Sequence, residues 1–305
     1  MPYPFKFTVF TATYNRAATL HRPYHSLCAQ SLRDFEWLVV DDGSTDETRN
    51  LIETWQREAN FSIRYLYQPN CGKPTACNLG IDEAQGEFFL TLDSDDGCTS
   101  NALERFLYHW NNIPLESRSQ FSAVTALCQN QHGKLVGGLF PKDVLDSNSI
   151  ELTYKYKVKG EKWGFQRTDV LKEFRFPVNP EHKFVSESVV WLAIARRYQT
   201  RFVNEQLRVY WIDDGAADHL TTLRPEVVNG RAACHRVILN DLIGWLPQAP
   251  LELARSAINF SRYSFDQGLG PVRQFSQIDS RIARILLLAS LPFGYAISLR
   301  DRQHL

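Results

Sequence analysis

The sequence predicts an α/β fold: a mainly parallel, Rossmann-like sheet flanked by helices, with a helical C-terminal extension. Three observations lead there. Short apolar and β-branched runs alternate with stretches of helical spacing through the first hundred residues, the pattern of βαβ units. Clusters of polar residues close three of those runs. From residue 217 onward the pattern is helical throughout.

The elements follow in order. Phe5–Thr13 (FKFTVFTAT) is β-branched and aromatic and reads as a first strand. Two early prolines and Lys6 make the N-terminus a poor signal peptide. Arg16–Gln30 carries Ala17, Leu20, Tyr24, Leu27 and Cys28 at helical spacing. Phe35–Val40 (FEWLVV) is a second strand ended by Asp41-Asp42-Gly43-Ser44, and a helix should run from there to about residue 58. Ser44 and Glu47 have capping-box spacing at its start. Ser62–Tyr67 is a third strand, Thr75–Ala84 a helix, and Glu87–Leu92 (EFFLTL) a fourth strand ending in Asp93-Ser94-Asp95-Asp96.

Composition narrows the function. The chain has 305 residues, 44% of them hydrophobic, with 34 Lys+Arg against 34 Asp+Glu. That apolar content outweighs the ordering entropy that keeps polar chains unfolded. A net charge of zero argues against a nucleic-acid partner, which needs an excess of cations. The charge is unevenly spread: residues 1–100 carry 8 Lys+Arg and 14 Asp+Glu, so a cation or nucleotide site is expected in the first third. Six cysteines without CxxC or Cys/His zinc spacing read as reduced thiols of a cytoplasmic protein.

Ligands of parallel sheets bind beyond the carboxyl ends of the strands. Tyr14-Asn15-Arg16, Asp41-Asp42-Gly43-Ser44 and Asp93-Ser94-Asp95-Asp96 should share that edge. Neither GxGxxG nor a Walker A motif is present, so the glycine-rich phosphate cradle is missing. Three carboxylates within four residues repel unless a cation or several donors satisfy them. Such a set suits Mg²⁺ or Mn²⁺ shared with substrate phosphates; a solvated acidic turn is the bland reading. A carboxylate of the Asp41-Asp42 pair can accept from a uracil N3–H, or stabilise the turn at Gly43-Ser44. Lys73, in Asn70-Cys71-Gly72-Lys73-Pro74 before a helix, can meet phosphate or stay a solvated loop lysine.

In order and spacing, FTATYNR, FEWLVVDDGSTDET, NCGKPTACNLG and GEFFLTLDSDD resemble the signatures of glycosyltransferase family 2, over about residues 5–130. The resemblance implies a GT-A fold and an inverting transferase that uses a uridine diphospho-sugar (UDP-sugar) with Mn²⁺ or Mg²⁺. It implies that Ala12, Tyr14, Asp41, Asp42, Lys73, Asp93, Ser94 and Asp95 bind the nucleotide-sugar, and that Asp95 and Asp96 bind the metal. Ala12 stands where the family frequently has proline. The catalytic domain is expected over 1–215, a nucleotide-sugar half at 1–130 and an acceptor half at 131–215, with a helical region over 216–305.

Inverting transfer needs a carboxylate to take the acceptor hydroxyl's proton. Glu187, in FVSESVVW, resembles the family's Glu-Asp that opens a helix, with Ser188 in place of the Asp; a first-turn Glu complementing the helix dipole is the alternative. Asp213 and Asp214, after the strand Thr200–Tyr210, are the reserve. Glu161 and Trp163 are expected on the acceptor side, Trp163 by stacking on a sugar face; an ordinary exposed turn is the rival reading.

Ile285–Leu299 is uncharged and flanked by Arg281, Arg284, Arg300 and Arg302. It is too short to span a bilayer and suits an interfacial segment, or a helix packed on the domain or a homodimer partner. The expected activity is transfer of a sugar from a UDP-sugar to a saccharide or lipid-linked acceptor in cell-surface polysaccharide synthesis, in the cytoplasm, peripheral at the inner face of the membrane through 281–302. A sugar-nucleotide nucleotidyltransferase and a non-catalytic nucleotide-sugar-binding subunit are the rivals.

Overall fold

The structure, a computed structural model, describes residues 3–178, 186–212 and 225–302. It divides into two compact units, Met1–Phe176 with Leu192–Gly215, and Pro177–Trp191 with Ala216–Leu305.

The first unit is built on one sheet. Its strands are β1 (Phe5–Thr13), β2 (Phe35–Asp41), β3 (Ser62–Tyr67), β4 (Gly86–Thr91), β5 (Gly97–Cys98), β6 (Phe121–Asn130), β7 (Leu135–Val136), β8 (Val144–Ser147), β9 (Lys162–Arg167) and β10 (Gln199–Tyr210). The order is β3-β2-β1-β4-β9-β6-β10-β5, with β7 on β6 and β8 on β10. β1 pairs in parallel with β2 and β4, β2 with β3, and β6 with β10. β9 runs antiparallel between β4 and β6. It therefore begins at the edge where β1, β2, β4, β6 and β10 end.

The connecting helices are α1 (His21–Cys28), α2 (Thr48–Glu58), α3 (Lys73–Glu83), α4 (Ala102–Asn111), α5 (Ser149–Tyr154), α6 (Thr168–Glu173) and α7 (Ser188–Ala195). Strand alternation sends Phe7, Val9, Trp37, Val39, Phe88 and Leu90 to one face, where they form one core with residues of α1, α2 and α4. Phe10 and Phe89 point to the other face and stack at 4.9 Å. There α3 approaches so closely that a Cβ on Gly80 would lie 2.2 Å from the Phe10 ring.

Two helix starts differ from the sequence reading. Arg16–Leu20 is a turn, closed by the Thr19 and Leu20 N–H groups on the Arg16 carbonyl, and α1 begins at His21. The capping box of Ser44 and Glu47 does not form. The Ser44 hydroxyl accepts from Asn15 N–H instead, and Asp46 takes the Thr48 N–H at the start of α2. The competing hydrogen bonds tie two loops together, which a local capping pattern does not reveal.

The second unit contains α8 (Pro225–Asp241), α9 (Pro250–Asp266), α10 (Pro271–Ser276) and α11 (Arg281–Arg302), matching the helical pattern of the sequence. Its core joins Leu239, Ala257, Phe260, Ile278, Ala283 and Leu287. Arg262 pairs with Asp301 and links α9 to the end of α11.

Gly80→Ala should overfill the Phe10 site and lower stability by about 1–3 kcal/mol, read as a lower urea midpoint with an unchanged slope.

Candidate active site

The carboxyl edge of the sheet brings together residues far apart in the chain. Asp93 and Asp96 follow β4 and are closed from across the sheet by Arg208 of β10. Arg208 Nη2 lies 2.6 Å from Asp93 Oδ2, and its Nε lies 2.8 Å from Asp96 Oδ2; Nη2 also contacts that Asp96 oxygen. Lys73 Nζ, from the first residue of α3, lies 3.0 Å from Asp93 Oδ1. Trp211 N–H donates to Asp96 Oδ1 at 2.8 Å. The Arg208 guanidinium and the Asp96 carboxylate are almost wholly buried.

The electrostatics follow. The Lys73 ammonium, against the cost of burial and with help from Arg208, holds the Asp93 carboxyl far below the usual carboxylate range. Burial pushes Asp96 up to about 6, and the Arg208 guanidinium and the Trp211 N–H offset only part of that rise. Burial works against the charge of Arg208, but its two carboxylates more than compensate and raise its pKa. At neutral pH the cluster is thus two carboxylates around a permanently charged guanidinium.

Asp95 is different. Its carbonyl oxygen accepts from Arg22 Nη1 at 3.0 Å, and Arg22 lies 4.5 Å over the Trp211 ring. Its half-buried carboxylate takes no hydrogen bond or ion pair from any described residue. Both oxygens of Asp93 and both of Asp96 are already engaged. Among the described residues no cluster of three or more His, Cys, Asp and Glu side chains can hold an ion by itself. Of the three carboxylates only that of Asp95 is open to a divalent ion, and most of such an ion's shell would have to come from outside the protein, as substrate phosphates can supply. The sequence reading paired Asp95 with Asp96; the structure gives Asp96 to Arg208 and the Trp211 N–H. Ser94, between Asp93 and Asp95 in the chain, is buried.

At the end of β2 the acidic pair holds backbone. Asp41 Oδ1 accepts from Ser44 N–H and its Oδ2 from the Tyr65 hydroxyl, each at 2.7 Å. Burial and that carboxylate push the Tyr65 hydroxyl up to about 12. Asp42 accepts from Gln68 Nε2 at 2.7 Å, Cys71 N–H at 2.8 Å and Gly72 N–H at 2.8 Å. This fixes the loop ahead of Lys73, where Gly72 has φ +92°, a conformation that favours glycine. Gly43 shares that φ, and a Cβ there would meet Asn70 N at 2.8 Å. Of the hydrogen bonds to Asp42, two fall on its Oδ1 and one on its Oδ2.

The β1 end is held in the same way. Asn15, at φ +51°, accepts Thr45 N–H at 2.8 Å. Asp46 accepts Ala17 N–H at 3.0 Å. Burial opposes the Asp46 charge, yet hydrogen bonds from Thr48 and Ala17 lower its pKa. Tyr14 projects from this edge, 49% exposed, with its ring available to stack on a base. Ala12 is half-buried beside it and in register with Val40.

The acceptor-side expectations divide. Glu161 is exposed at the start of β9, and its charge reaches Tyr210 and Cys128. Trp163 is not a stacking platform. It is 4% exposed, packs its ring 5.3 Å from Phe106 and donates its indole N–H to the Thr91 carbonyl at 2.6 Å. β9 alternates Trp163 and Phe165 inward, a strand pattern that overrides the turn reading. Glu187 lies in the second unit, in the turn that opens α7, where its carbonyl accepts the Val190 and Trp191 N–H groups. Asp213 and Asp214 lie outside the described residues.

Arg208 was missed from sequence. Its signal was a charged residue among the alternating apolar positions of a strand that ends at this edge.

A parallel-sheet carboxyl edge carrying an acidic triplet, a helix-start lysine and an exposed aromatic defines a nucleotide-binding α/β transferase site. The comparisons agree. The model of Glycosyl transferase family 2 matches residues 8–117. An uncharacterized glycosyltransferase of Nostoc sp. is 38% identical over 237 residues, which cover 71% of this chain and 67% of that protein. TarS of Staphylococcus aureus, named as a poly(ribitol-phosphate) beta-N-acetylglucosaminyltransferase, is 34% identical over 101 residues, 32% of this chain but only 18% of TarS. The structure of TarS 1–349 with UDP-GlcNAc aligns over 98% of this chain and 92% of that one, with TM-score 0.64 at 18% identity. The mannosyltransferase PcManGT from Pyrobaculum calidifontis, solved with GDP-Man and Mn²⁺, aligns over 99% and 90% with TM-score 0.57 at 17% identity. This chain belongs to glycosyltransferase family 2 and has the GT-A fold, which makes it a glycosyltransferase.

Arg208→Met should leave Asp96 without its counter-charge and cost about 3–5 kcal/mol of stability, measured by denaturant unfolding. Arg208→Lys, a single ammonium that lacks the fork geometry, should restore only part of that loss.

Proposed function

We propose that this chain transfers a sugar, with inversion, from a UDP-sugar to a saccharide or lipid-linked saccharide in polysaccharide synthesis, and that a divalent cation is required. The observation that carries this reading is the uncommitted carboxylate of Asp95 beside a cluster whose other acids are neutralised within the protein. A site so arranged attracts one divalent cation and leaves most of its coordination shell to a diphosphate. TarS, solved with UDP-GlcNAc, and PcManGT, solved with Mn²⁺, support the donor class and the cation.

In this reading Tyr14 stacks on the base, while the remaining Oδ2 lone pair of Asp42 accepts the uracil N3–H. Lys73, at the positive end of α3, faces the phosphates, and Asp93 orients Lys73. Asp95 holds Mn²⁺ or Mg²⁺, which when bound offsets charge developing on the leaving diphosphate. Glu187 accepts the proton of the acceptor hydroxyl as its oxygen bonds to the anomeric carbon and the bond to the diphosphate breaks. Its support is the resemblance of its segment and its place in the turn that opens α7. Glu161 serves the acceptor side.

Asp95→Asn should weaken UDP binding in Mn²⁺ by about 10–100-fold while metal-free binding is kept or somewhat tightened by loss of the repelling charge, by calorimetry; unaltered Mn²⁺-dependent affinity would remove the cation from Asp95. Glu187→Gln should bind donor normally but lose about 10²–10⁴-fold in turnover, the usual share of a general base. Near wild-type rates would transfer that role to Asp213 or Asp214.

A further inference from the structure

Helix α11 is built inside out for a helix in water. Its buried positions are Ala283, Leu287, Ser290, Gly294 and Ser298. Those facing outward include Ile282, Ile285, Leu288, Phe293, Tyr295 and Leu299, between 42% and 70% exposed. A helix on a soluble domain turns its apolar stripe to the core and its polar face to solvent. Here small and hydroxyl-bearing residues pack inward, close enough that a Cβ on Gly294 would lie 2.6 Å from the Ser261 side chain of α9. Leu287 also packs inward, with Leu286 and Leu291 half-buried against the same core, while the other large apolar side chains are left outside.

The charges are arranged to match. No charged residue occurs between Arg284 and Arg300, and Arg281, Arg284, Arg300 and Arg302 bracket the apolar stretch. Residues 254–305 carry seven Arg against three Asp, and one of those Asp, Asp301, is already paired with Arg262.

We propose that the outward face of α11 is a membrane-docking surface that lies in the plane of an anionic phospholipid bilayer. The apolar side chains enter the acyl boundary, and the arginines at both ends meet lipid phosphates. By length and composition the 22-residue α11 could cross a bilayer, but its uncharged stretch 285–299 rises only about 22 Å at 1.5 Å per residue, short of a hydrocarbon core of about 30 Å. Its inward face is also occupied by α9, which brings the ionic Arg262–Asp301 contact with it. A spanning orientation would also draw Asp266 of α9, to which the Ser298 hydroxyl donates, to membrane depth, whereas an in-plane one leaves α9 on the water side. A second copy fits this face less well. Two-fold pairing, parallel or antiparallel, sets Arg ends against Arg ends, and Asp301 is already committed. The inference does not rest on the donor reading, since vesicle binding is measured without nucleotide.

The test is co-sedimentation of the full chain with vesicles of phosphatidylcholine alone and of phosphatidylcholine with phosphatidylglycerol. The chain should sediment with the phosphatidylglycerol vesicles and be released by salt, as screened charges require. Ile285→Ser/Leu288→Ser should bind about tenfold or more weakly, with unchanged circular dichroism and melting, because both side chains point outward. Arg281→Glu/Arg300→Glu should lose the preference for phosphatidylglycerol. A chain that remains in the supernatant with both vesicle types would overturn the proposal. So would a concentration-dependent dimer in ultracentrifugation that Ile285→Ser/Leu288→Ser dissociates, since the face would then be a self-association surface.

Discussion

The acidic edge of this sheet exists because one guanidinium is buried in it. Asp93 and Asp96 follow β4, where the chain leaves the buried apolar run Phe88-Phe89-Leu90, and each charge buried without a partner would cost several kcal/mol. Arg208 meets both from β10, across more than a hundred residues of chain. The forked geometry of arginine matters here, since a single ammonium cannot hold two carboxylates in plane at once. Lys73 completes the neutralisation from the helix side. The same pairs link the first-half strands β1 to β4 to the last strand of the sheet, so the electrostatics of the site also fix its topology.

This neutralisation sets Asp95 apart from the rest of the triplet, since among the described residues its carboxylate takes no hydrogen bond or ion pair. Three free carboxylates would bind a cation strongly and hold it without substrate. With two of them matched inside the protein, the cluster keeps one uncommitted negative group beside a guanidinium and an ammonium. Under the function proposed above, a cation alone would be held weakly there, and a diphosphate alone would find two positive groups but also a repelling carboxylate. Cation and diphosphate together satisfy every group. The arrangement thus couples the two ligands through ordinary charge balance, with no moving part required.

Much of this was legible from the sequence because the informative residues are local. The strand runs, the polar ends and the acidic clusters are contiguous, and they placed Tyr14, Asp42, Lys73 and Asp93 at one edge. Partners were not legible. Asp41 and Asp42 read alike in sequence, yet one closes a turn against Tyr65 while the other fixes the Gly72 loop. Asp93, Asp95 and Asp96 read as one cluster, and only the arrival of Arg208 separates them. Trp163 was misread because aromatic residues suit both sugar stacking and cores. The spacing to Phe165, inward at every second position, held the answer.

The C-terminal helices show the reverse case, in which pattern alone leaves the meaning open until packing is known. An uncharged run flanked by arginines is consistent with a core helix, a dimer helix or an interfacial one. Each of these predicts a different inward face. A core or dimer helix places its largest apolar side chains against protein, because that is where burial stabilises most. α11 places one leucine, Leu287, and otherwise Ala, Ser and Gly there, so close backbone approach supplements a small apolar area in holding it to α9, as in helix pairs that lack a strong hydrophobic drive to associate. The bilayer contact proposed above, a surrounding that is apolar on one side, would account for that choice.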